Sequence, residues 1–256
     1  MRLVFINICC WLMAFSALAS QGSQDSFASA NQAYNEGKYQ DAITLYESIL
    51  DEGMHSAELY FNLGNAYYKM NQVAPSIYFY EKALLLDPRD KEIQRNLSFA
   101  ENMTIDSIEE IPEVGFSKLV NGITSVFSYD GWAIFSVATM ILFVLFFLVY
   151  YFSISTTRKR ILFLGSFVML GLSILSLATA FREYDMTIKD NPAIVFAQES
   201  EVHSDPNLRS ESVFNLHEGT KVQVLESYND DWSKIRLKDG KTGWIPTEDI
   251  KLLNFF

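Results

Sequence analysis

Two long apolar runs dominate the pattern of hydrophobic and polar positions along the chain. Residues 132–152 and 161–181 each contain 21 residues without a charged side chain. As helices, both runs are long enough to cross a hydrocarbon core of about 30 Å. The eight residues between them, 153–160, end in three consecutive cations. These cations are Arg158, Lys159 and Arg160. Because positively charged loops stay on the cytoplasmic side of a membrane, we expect two transmembrane helices with a cytoplasmic loop. Both flanking regions would then lie on the opposite side.

Before these runs, a repeated pattern of helical spacing covers residues 24–103. The clearest unit, residues 57–90, reads AELYFNLGNAYYKMNQVAPSIYFYEKALLLDPRD, and a weaker copy occupies residues 24–56. This unit resembles the tetratricopeptide repeat (TPR), a pair of antiparallel helices. The positions that carry the resemblance are Tyr60, Leu63, Gly64, Tyr67, Ser76, Tyr80, Ala83 and Pro88. Residues 91–103 repeat only the first helix and are expected to cap the array. Since about three repeats are usually needed for stability, we expect this domain to pack against a partner, the membrane surface or itself.

The resemblance to TPR domains implies a peptide-binding groove lined by the first helix of each repeat. The groove positions of the family fall on Asn31, Tyr34, Asn35, Phe61, Asn62, Asn65, Tyr68 and Lys69. Asn31 and Asn62 match the pair that holds a peptide backbone and its terminal carboxylate in chaperone-type TPR domains. The basic residues of such a clamp do not match, because Phe27, Glu92 and Asn96 stand at those positions. We interpret the remaining aromatic residues of these helices as ordinary helix packing.

Residues 104–131 are predicted to link the repeats to the first apolar run. The acidic segment 105–112 ends in a proline, which disfavours helix. Beyond it, the apolar positions Phe116, Leu119, Val120, Ile123, Val126 and Phe127 follow helical spacing. This stripe predicts a short helix that either lies in the lipid headgroup layer or packs on the repeats.

The pattern changes to short alternating strands in residues 193–254. Two examples are residues 222–225 and 232–237, and Asp239-Gly240 is a hairpin signal. The spacing predicts a small all-β barrel. Residues 216–220 (LHEGT) and 243–246 (GWIP), together with Trp232, resemble a bacterial SH3-like domain.

That likeness implies a ligand groove containing Trp232 and Pro246, whereas Asp249 stands where SH3 domains carry a tyrosine. Bacterial relatives of this kind bind cell wall or protein. We expect Trp244 to lie in the barrel core.

Composition narrows the possible partners and the cellular compartment. The net charge is −11, which argues against nucleic acid because its phosphates require compensating cations. The first 19 residues resemble a signal peptide, with Arg2, an apolar stretch and the small residues Ala17 and Ala19 before the cleavage site. An uncleaved anchor helix is the alternative. The two cysteines of the chain, Cys9 and Cys10, lie inside this segment.

No arrangement of residues in the sequence indicates catalysis. The three histidines stand apart from one another and from other ligand types, so we predict no metal site. Phosphate-binding and nucleophile motifs do not occur. We therefore predict a protein that is not an enzyme, without catalytic residues, a metal or a cofactor.

The order of the predicted elements is more specific than any one of them. The sequence predicts a multi-domain membrane protein with α-helical TPR hairpins, a two-helix transmembrane hairpin and a small all-β SH3-like barrel. This order resembles the BatE family, the TPR and SH3-like proteins of the Bacteroides aerotolerance (Bat) operons. The resemblance implies a partner role beside von Willebrand A-domain membrane proteins and a MoxR-type ATPase, linked to stress.

We expect a scaffold of the bacterial inner membrane that binds proteins through periplasmic modules. A cell-wall tether or sensor, in which the SH3-like domain binds peptidoglycan, is the alternative. A subunit of an enzyme complex whose chemistry lies elsewhere is a third possibility.

Overall fold

The computed structural model of the protein describes residues 25–108, 115–124, 126–189 and 191–253. The chain divides into two compact units. The first unit combines the regions on either side of the two apolar runs, Met1–Glu110 and Asn191–Phe256, and the second unit is Ile111–Asp190. The predicted signal peptide lies outside the described residues.

The N-terminal part of the first unit, here called the repeat region (residues 25–108), is a stack of helices. They are α1 (residues 25–35), α2 (Tyr39–Asp51), α3 (Ala57–Lys69), α4 (Val73–Leu86) and α5 (Lys91–Glu101). The hydroxyl of Ser56 accepts a hydrogen bond from Leu59 N at the start of α3, and the Asp90 carboxylate caps α5 in the same way. These two caps mark the start of α3 at Ala57 and of α5 at Lys91.

Close contact between α3 and α4 depends on a glycine in the middle of α3. A Cβ atom at Gly64 would lie 2.6 Å from the Tyr80 ring, which is fully buried. The Ser76 hydroxyl donates a hydrogen bond to the Gly64 carbonyl oxygen over 3.0 Å. Leu59, Leu63 and Ile77 fill the core around this crossing. The residues that repeat in the sequence are therefore those that pack α3 against α4.

The C-terminal part of the first unit, here called the β-domain (residues 191–253), is one antiparallel sheet of seven strands. The strands are β1 (Pro192–Val195), β2 (Glu199–His203), β3 (Ser212–His217), β4 (Lys221–Tyr228), β5 (Trp232–Arg236), β6 (Thr242–Pro246) and β7 (Ile250–Leu252). Their order across the sheet is β3-β2-β6-β5-β4-β1-β7. Alternate residues such as Val202, Ile235 and Ile245 are fully buried and form the core.

The β-domain packs against the second helix of the clearest repeat. Ile194 and Leu253 belong to the same buried cluster as the repeat-region core. The Phe196 ring meets the Tyr78 ring edge-on at 5.7 Å, and Lys221 Nζ lies 2.7 Å from the Glu81 carboxylate. The partner that completes this short repeat array is therefore the β-domain of the same chain.

A half-buried carboxylate in the predicted linker fastens the two regions to each other. Asp106 accepts hydrogen bonds from the His217 backbone N–H (2.7 Å) and the Thr220 hydroxyl (2.6 Å), and it lies 2.7 Å from His217 Nδ1. Gly219 fits between these residues with φ +87°, and a Cβ atom there would lie 3.0 Å or less from Thr104, Ile77 and Val73. We call this contact between the repeat region and the β-domain the seam.

The second unit consists of α6 (Phe116–Thr124), α7 (Tyr129–Phe152) and α8 (Thr156–Lys189). Both α7 and α8 are long and apolar enough to cross a membrane. The helices are joined by residues 153–155, so the connection is shorter than the predicted eight residues. Arg158, Lys159 and Arg160 lie in the first turns of α8 rather than in a loop, because the helix begins before the apolar run.

Small polar residues form the contact between α7 and α8. The Ser136 hydroxyl donates to the Ser173 carbonyl oxygen (2.9 Å), and the Ser173 hydroxyl donates to the Ser136 carbonyl oxygen (3.0 Å). Ser166 and Ala180, which lie one heptad before and after Ser173, are also buried. The small-residue face of the second apolar run is thus the face that packs on its neighbour.

Candidate binding sites

A groove in the repeat region brings together half of the predicted TPR groove residues. Its cavity is about 280 Å³, and it is formed mainly by α1, α3 and α5. The lining residues are Tyr34, Asn65, Tyr68, Lys69, Tyr80, Glu92, Asn96 and Phe99. The lining combines aromatic rings, side-chain amides and two groups of opposite charge, the Lys69 ammonium and the Glu92 carboxylate. These groups suit an extended peptide, which offers both apolar side chains and backbone hydrogen-bonding groups.

An asparagine ladder with the period of the repeat runs beside this groove. Asn31 Oδ1 accepts hydrogen bonds from the Tyr46 hydroxyl and from Asn62 Nδ2, the latter at 3.1 Å. One repeat later, Asn65 Oδ1 accepts from the Tyr80 hydroxyl (2.7 Å) and from Asn96 Nδ2 (3.1 Å). Burial raises the pKa of Tyr46 to about 12 and raises that of Tyr80 as well, so both phenols stay protonated donors. The ladder holds the groove helices in register.

The remaining predicted groove residues lie outside the cavity. Asn31 and Asn62 hydrogen-bond to each other as part of the ladder. The Phe61 ring packs 5.9 Å from the Tyr80 ring, against the core. Asn35 is exposed at the end of α1. Phe99 is not one of the predicted groove residues, yet it is an exposed aromatic residue on α5 that lines the cavity. Its position outside the apolar face of the capping helix was the available signal.

A cleft in the β-domain contains both residues predicted for the SH3-like surface. The cleft has a volume of about 810 Å³. It is lined by Trp232, Pro246, Pro206, Asn207, Leu208, Arg209, Asp230, Asp231 and Glu248. The Trp232 ring stands edge-on to the buried His203 ring at 5.6 Å. His203 Nδ1 is in turn 3.2 Å from the Ser210 carbonyl oxygen. One side of the Trp232 indole is therefore packed against His203, and the ring is only partly exposed.

The loop that forms one wall of this cleft is held by its own hydrogen bonds. The Ser210 hydroxyl contacts the carbonyl oxygens of Asp205 and Asn207, and Ser204 N donates to the Glu211 carbonyl oxygen over 2.9 Å. At its tip, 78% of the Leu208 surface is exposed. A cleft that is lined by an indole and by an exposed apolar loop tip, Leu208, is typical of a recognition site.

Charge around the cleft favours a cationic ligand. Three carboxylates, those of Asp230, Asp231 and Glu248, line it against the single guanidinium of Arg209. Asp249, at the position where SH3 domains carry a tyrosine, does not line the cleft. Its carboxylate accepts a hydrogen bond from the Ser200 hydroxyl, and its role is therefore structural.

The expectation for Trp244 is wrong. Its strand neighbours Gly243 and Ile245 are buried, so the alternation of β6 directs Trp244 to the outer face of the sheet. There it packs edge-on with Tyr228 at 6.3 Å and lies beneath the Lys234 ammonium at 5.4 Å. Trp232 and Trp244 thus lie in different surroundings, and only Trp232 lines the cleft.

The described part of the chain contains no group of three His, Cys, Asp or Glu residues that could hold a metal ion. Each histidine has a partner: His55 lies 2.8 Å from the Tyr60 hydroxyl, His203 contacts Ser210, and His217 contacts Asp106. Burial would raise the pKa of the Asp106 carboxyl, but hydrogen bonds from Thr220 and His217 outweigh it and hold that pKa below its usual value. The Asp106 hydrogen bond raises the pKa of His217.

The fold and these two sites define a class of protein built from binding modules. Residues 57–90 match the tetratricopeptide repeat family and residues 200–251 match the bacterial SH3 domain family. The predicted fold class is confirmed: helical TPR repeats, two apolar helices long enough to span a membrane, and an antiparallel SH3-like domain. Such modules are typically non-catalytic and bind proteins or cell wall.

One relative of known name shares a short stretch with this chain. Over 57 residues, or 22% of its length, the chain is 33% identical to the cell wall-binding protein YwsB of Bacillus subtilis (strain 168). The matched stretch is 32% of that relative, so the chain spans about a third of its length.

Proposed function

We propose that this protein is a non-enzymatic scaffold, anchored in the bacterial inner membrane, that binds partner proteins through its groove and its cleft. The observation that carries the proposal is the seam, which builds both recognition sites into one compact unit. That unit is continuous in sequence with both ends of the apolar hairpin. Two partners bound to it would therefore be held together at the membrane.

The seam also supports the proposed topology. Asp106 and His217 lie 111 residues apart in sequence, on either side of α7 and α8, yet they are hydrogen-bonded. The chain must therefore leave and re-enter the first unit on the same side of any membrane that the two helices cross. Arg158, Lys159 and Arg160 favour a cytoplasmic turn, which supports a periplasmic location of the first unit.

Isosteric cysteine substitutions test this topology. With Cys9 and Cys10 replaced by serine, Ser212→Cys puts an exposed thiol in the β-domain and Ser155→Cys puts one in the turn between the helices. We expect a membrane-impermeant maleimide to label the first variant in intact spheroplasts and the second only after permeabilisation. The reverse pattern would contradict the topology.

The resemblance to the BatE family suggests which partners the scaffold holds. We propose a Bat-type stress complex with von Willebrand A-domain membrane proteins and a MoxR-type ATPase system. Crosslinking in cells followed by purification of the full chain tests this. We expect the double variant Tyr68→Ala/Phe99→Ala to lose crosslinked partners, because both side chains line the groove. Tyr228→Ala removes an exposed aromatic outside both sites and serves as the matched control. Unchanged partners in the groove variant would contradict a binding role for the groove.

A cell-wall tether or sensor is the second candidate. It is favoured by the stretch shared with a cell wall-binding relative and by the anionic, aromatic cleft, which suits amine-bearing peptides. We propose that such a ligand would contact Trp232 and Pro246. Full-length protein in detergent should co-sediment with purified sacculi and lose that ability on Trp232→Ala. The control Trp244→Ala changes the same residue type outside the cleft. No sedimentation of the unmodified protein would exclude this candidate.

A further inference from the structure

The short helix α6 is fastened to the end of the apolar hairpin by side chains from both long helices. The Trp132 indole N–H, near the start of α7, donates to the Thr124 carbonyl oxygen over 2.8 Å. From α8, the Arg182 guanidinium donates to Asn121 Oδ1 (3.0 Å) and to the Thr124 hydroxyl (3.2 Å). Because these contacts come from two helices, α6 belongs structurally to the hairpin.

Three apolar side chains of α6 and of the turn that follows it are exposed. The exposed fractions are 55% for Ile123, 53% for Val126 and 43% for Phe127. The Phe127 ring meets the Trp132 ring edge-on at 5.3 Å and stacks on the Phe135 ring at 6.2 Å. This surface therefore continues without interruption into the exposed apolar face of α7, which would contact lipid.

Aromatic residues place α6 at one boundary of the hydrocarbon layer. Trp132 and the Tyr129–Tyr184 pair, with ring centres 5.7 Å apart, lie at this end of the hairpin. Tyr150 lies at the other end, beneath Lys159. Trp132 and Tyr150 are separated by about 27 Å of helix at 1.5 Å per residue, close to the thickness of a hydrocarbon core of about 30 Å. Trp and Tyr are enriched at such boundaries.

We propose that α6 lies in the lipid headgroup layer, with Ile123, Val126 and Phe127 inserted among the upper acyl chains. The occupant of this surface is lipid, because the surface is continuous with the apolar face of a membrane-spanning helix and carries no charge. This inference rests on the proposed membrane anchoring. It assigns Arg182 a positioning role, because its guanidinium holds α6 against the hairpin. The hydrogen bonds to Asn121 and Thr124 give this cation protein partners at the membrane interface.

Spin labels on the full chain in liposomes test the proposal. With Cys9 and Cys10 replaced by serine, nitroxides are attached at Ile123→Cys and, as a matched control, at the exposed Lys118→Cys on another side of the same helix. Oxygen partitions into hydrocarbon, whereas nickel ethylenediamine diacetate stays in water. We expect the ratio of oxygen to nickel accessibility to exceed one at position 123 and to fall below one at position 118.

A third label separates failure of this inference from failure of the anchoring. Ile174→Cys lies in the middle of α8, where 60% of the native side chain is exposed. If position 174 is in lipid but position 123 is equally accessible to nickel, or is inaccessible to both reagents, α6 contacts water or protein and the proposal is wrong. If position 174 itself is in water, the anchoring is wrong.

The variant Arg182→Gln adds an independent test. It should increase label mobility at position 123 and leave that at position 174 unchanged. Equal mobility at position 123 with and without the arginine would contradict the positioning role.

Discussion

The seam and the contact between α7 and α8 each hold two segments of the chain together, but they do so with different chemical groups. At the seam, apolar contacts are supplemented by charged groups: Asp106 with His217, and Glu81 with Lys221. Between α7 and α8, the specific hydrogen bonds are those of two serines. Water near the seam screens its charges. Between α7 and α8, where the surroundings are apolar, the serine hydroxyls instead form hydrogen bonds with backbone carbonyl groups of the neighbouring helix.

This difference has a functional meaning. A contact that contains titratable groups can respond to the medium, whereas a contact made of hydroxyls and small residues is insensitive to pH. The hairpin is therefore suited to be a constant anchor, and the seam is the part of the molecule whose strength can vary. Four measurements test this distinction, in order of decreasing expected effect.

Filling the seam should have the largest effect. Gly219→Ala places a methyl group 3.0 Å or less from three side chains at φ +87°. We expect the free energy of unfolding of the first unit to fall by about 2–4 kcal/mol, from overpacking and from the left-handed backbone. Gly53→Ala has a similar φ of +76° and nothing within 4 Å, so it should cost about 1–2 kcal/mol. Equal losses in urea denaturation would show that the seam is not tightly packed.

Removing the central carboxylate of the seam should have the next largest effect. Asp106→Ala leaves the His217 backbone N–H and the Thr220 hydroxyl without their acceptor. We expect a loss of about 1–3 kcal/mol, together with faster amide hydrogen exchange in residues 215–221. The control Asp239→Ala removes a half-buried carboxylate that is paired with Lys241 away from the seam, and it should leave exchange at the seam unchanged. Unaltered exchange in the Asp106 variant would mean that apolar contacts alone hold the seam.

Removing a hydroxyl from the hairpin should have a smaller effect. Ser173→Ala deletes one of the two reciprocal hydrogen bonds to Ser136. We expect SDS titration of the full chain in mixed micelles to show a loss of about 0.6 kcal/mol in association of the two helices. Thr179→Ala, whose hydroxyl bonds to its own helix, is the control. A loss of the same size in both variants would contradict a specific serine contact.

A change of pH should affect the seam and leave the hairpin unchanged. The folded pKa of His217 is raised above its ordinary value of 6.5, chiefly by the Asp106 hydrogen bond and also by the charge of Glu199. The stabilisation from the imidazolium is therefore complete below pH 6.5 and is lost as pH rises through the raised pKa. Asp106 has a lowered pKa, so its contribution is present above its ordinary value of 3.8 and is lost as pH falls through the lowered one.

Amide exchange at residues 215–221 should thus accelerate as pH rises above 6.5 and through the raised pKa of His217, after correction for the intrinsic rate. His217→Gln should remove this additional dependence. If the corrected exchange rate of the unmodified protein does not change with pH, titration of His217 does not affect the stability of the seam.

The elements that repeat or alternate could be predicted because their patterns are local. Helical spacing and the positions of Gly64 and Pro88 indicated α3 and α4, and alternation indicated β4, β5 and β6. The seam could not be predicted, because its partners are separated by more than one hundred residues. Asp106 was grouped with an acidic linker and His217 was regarded as isolated. Only the folded chain brings the carboxylate to the imidazole.

The candidate sites show the same division between local and long-range information. The TPR pattern selected four of the residues that line the cavity in the repeat region, namely Tyr34, Asn65, Tyr68 and Lys69. It did not show that Asn31 and Asn62 bond to each other, because both amides were interpreted as ligand-binding groups. The pattern of β6 was sufficient to place Trp244 on the outer face, since Gly243 and Ile245 fit the core positions on either side. The expectation that Trp244 lies in the barrel core did not use this alternation.

The seam also has a consequence for biogenesis. Lys221, which contacts Glu81, is synthesised 140 residues after it, with both long helices between them. A ribosome that has just completed the repeat region has therefore not yet produced the strands that cover Ile77 and Tyr78. Until the last strands have followed α7 and α8, this apolar helix face is open to chaperones and proteases. If the two helices cross a membrane as proposed, the first unit can assemble only after the chain has passed through the bilayer twice.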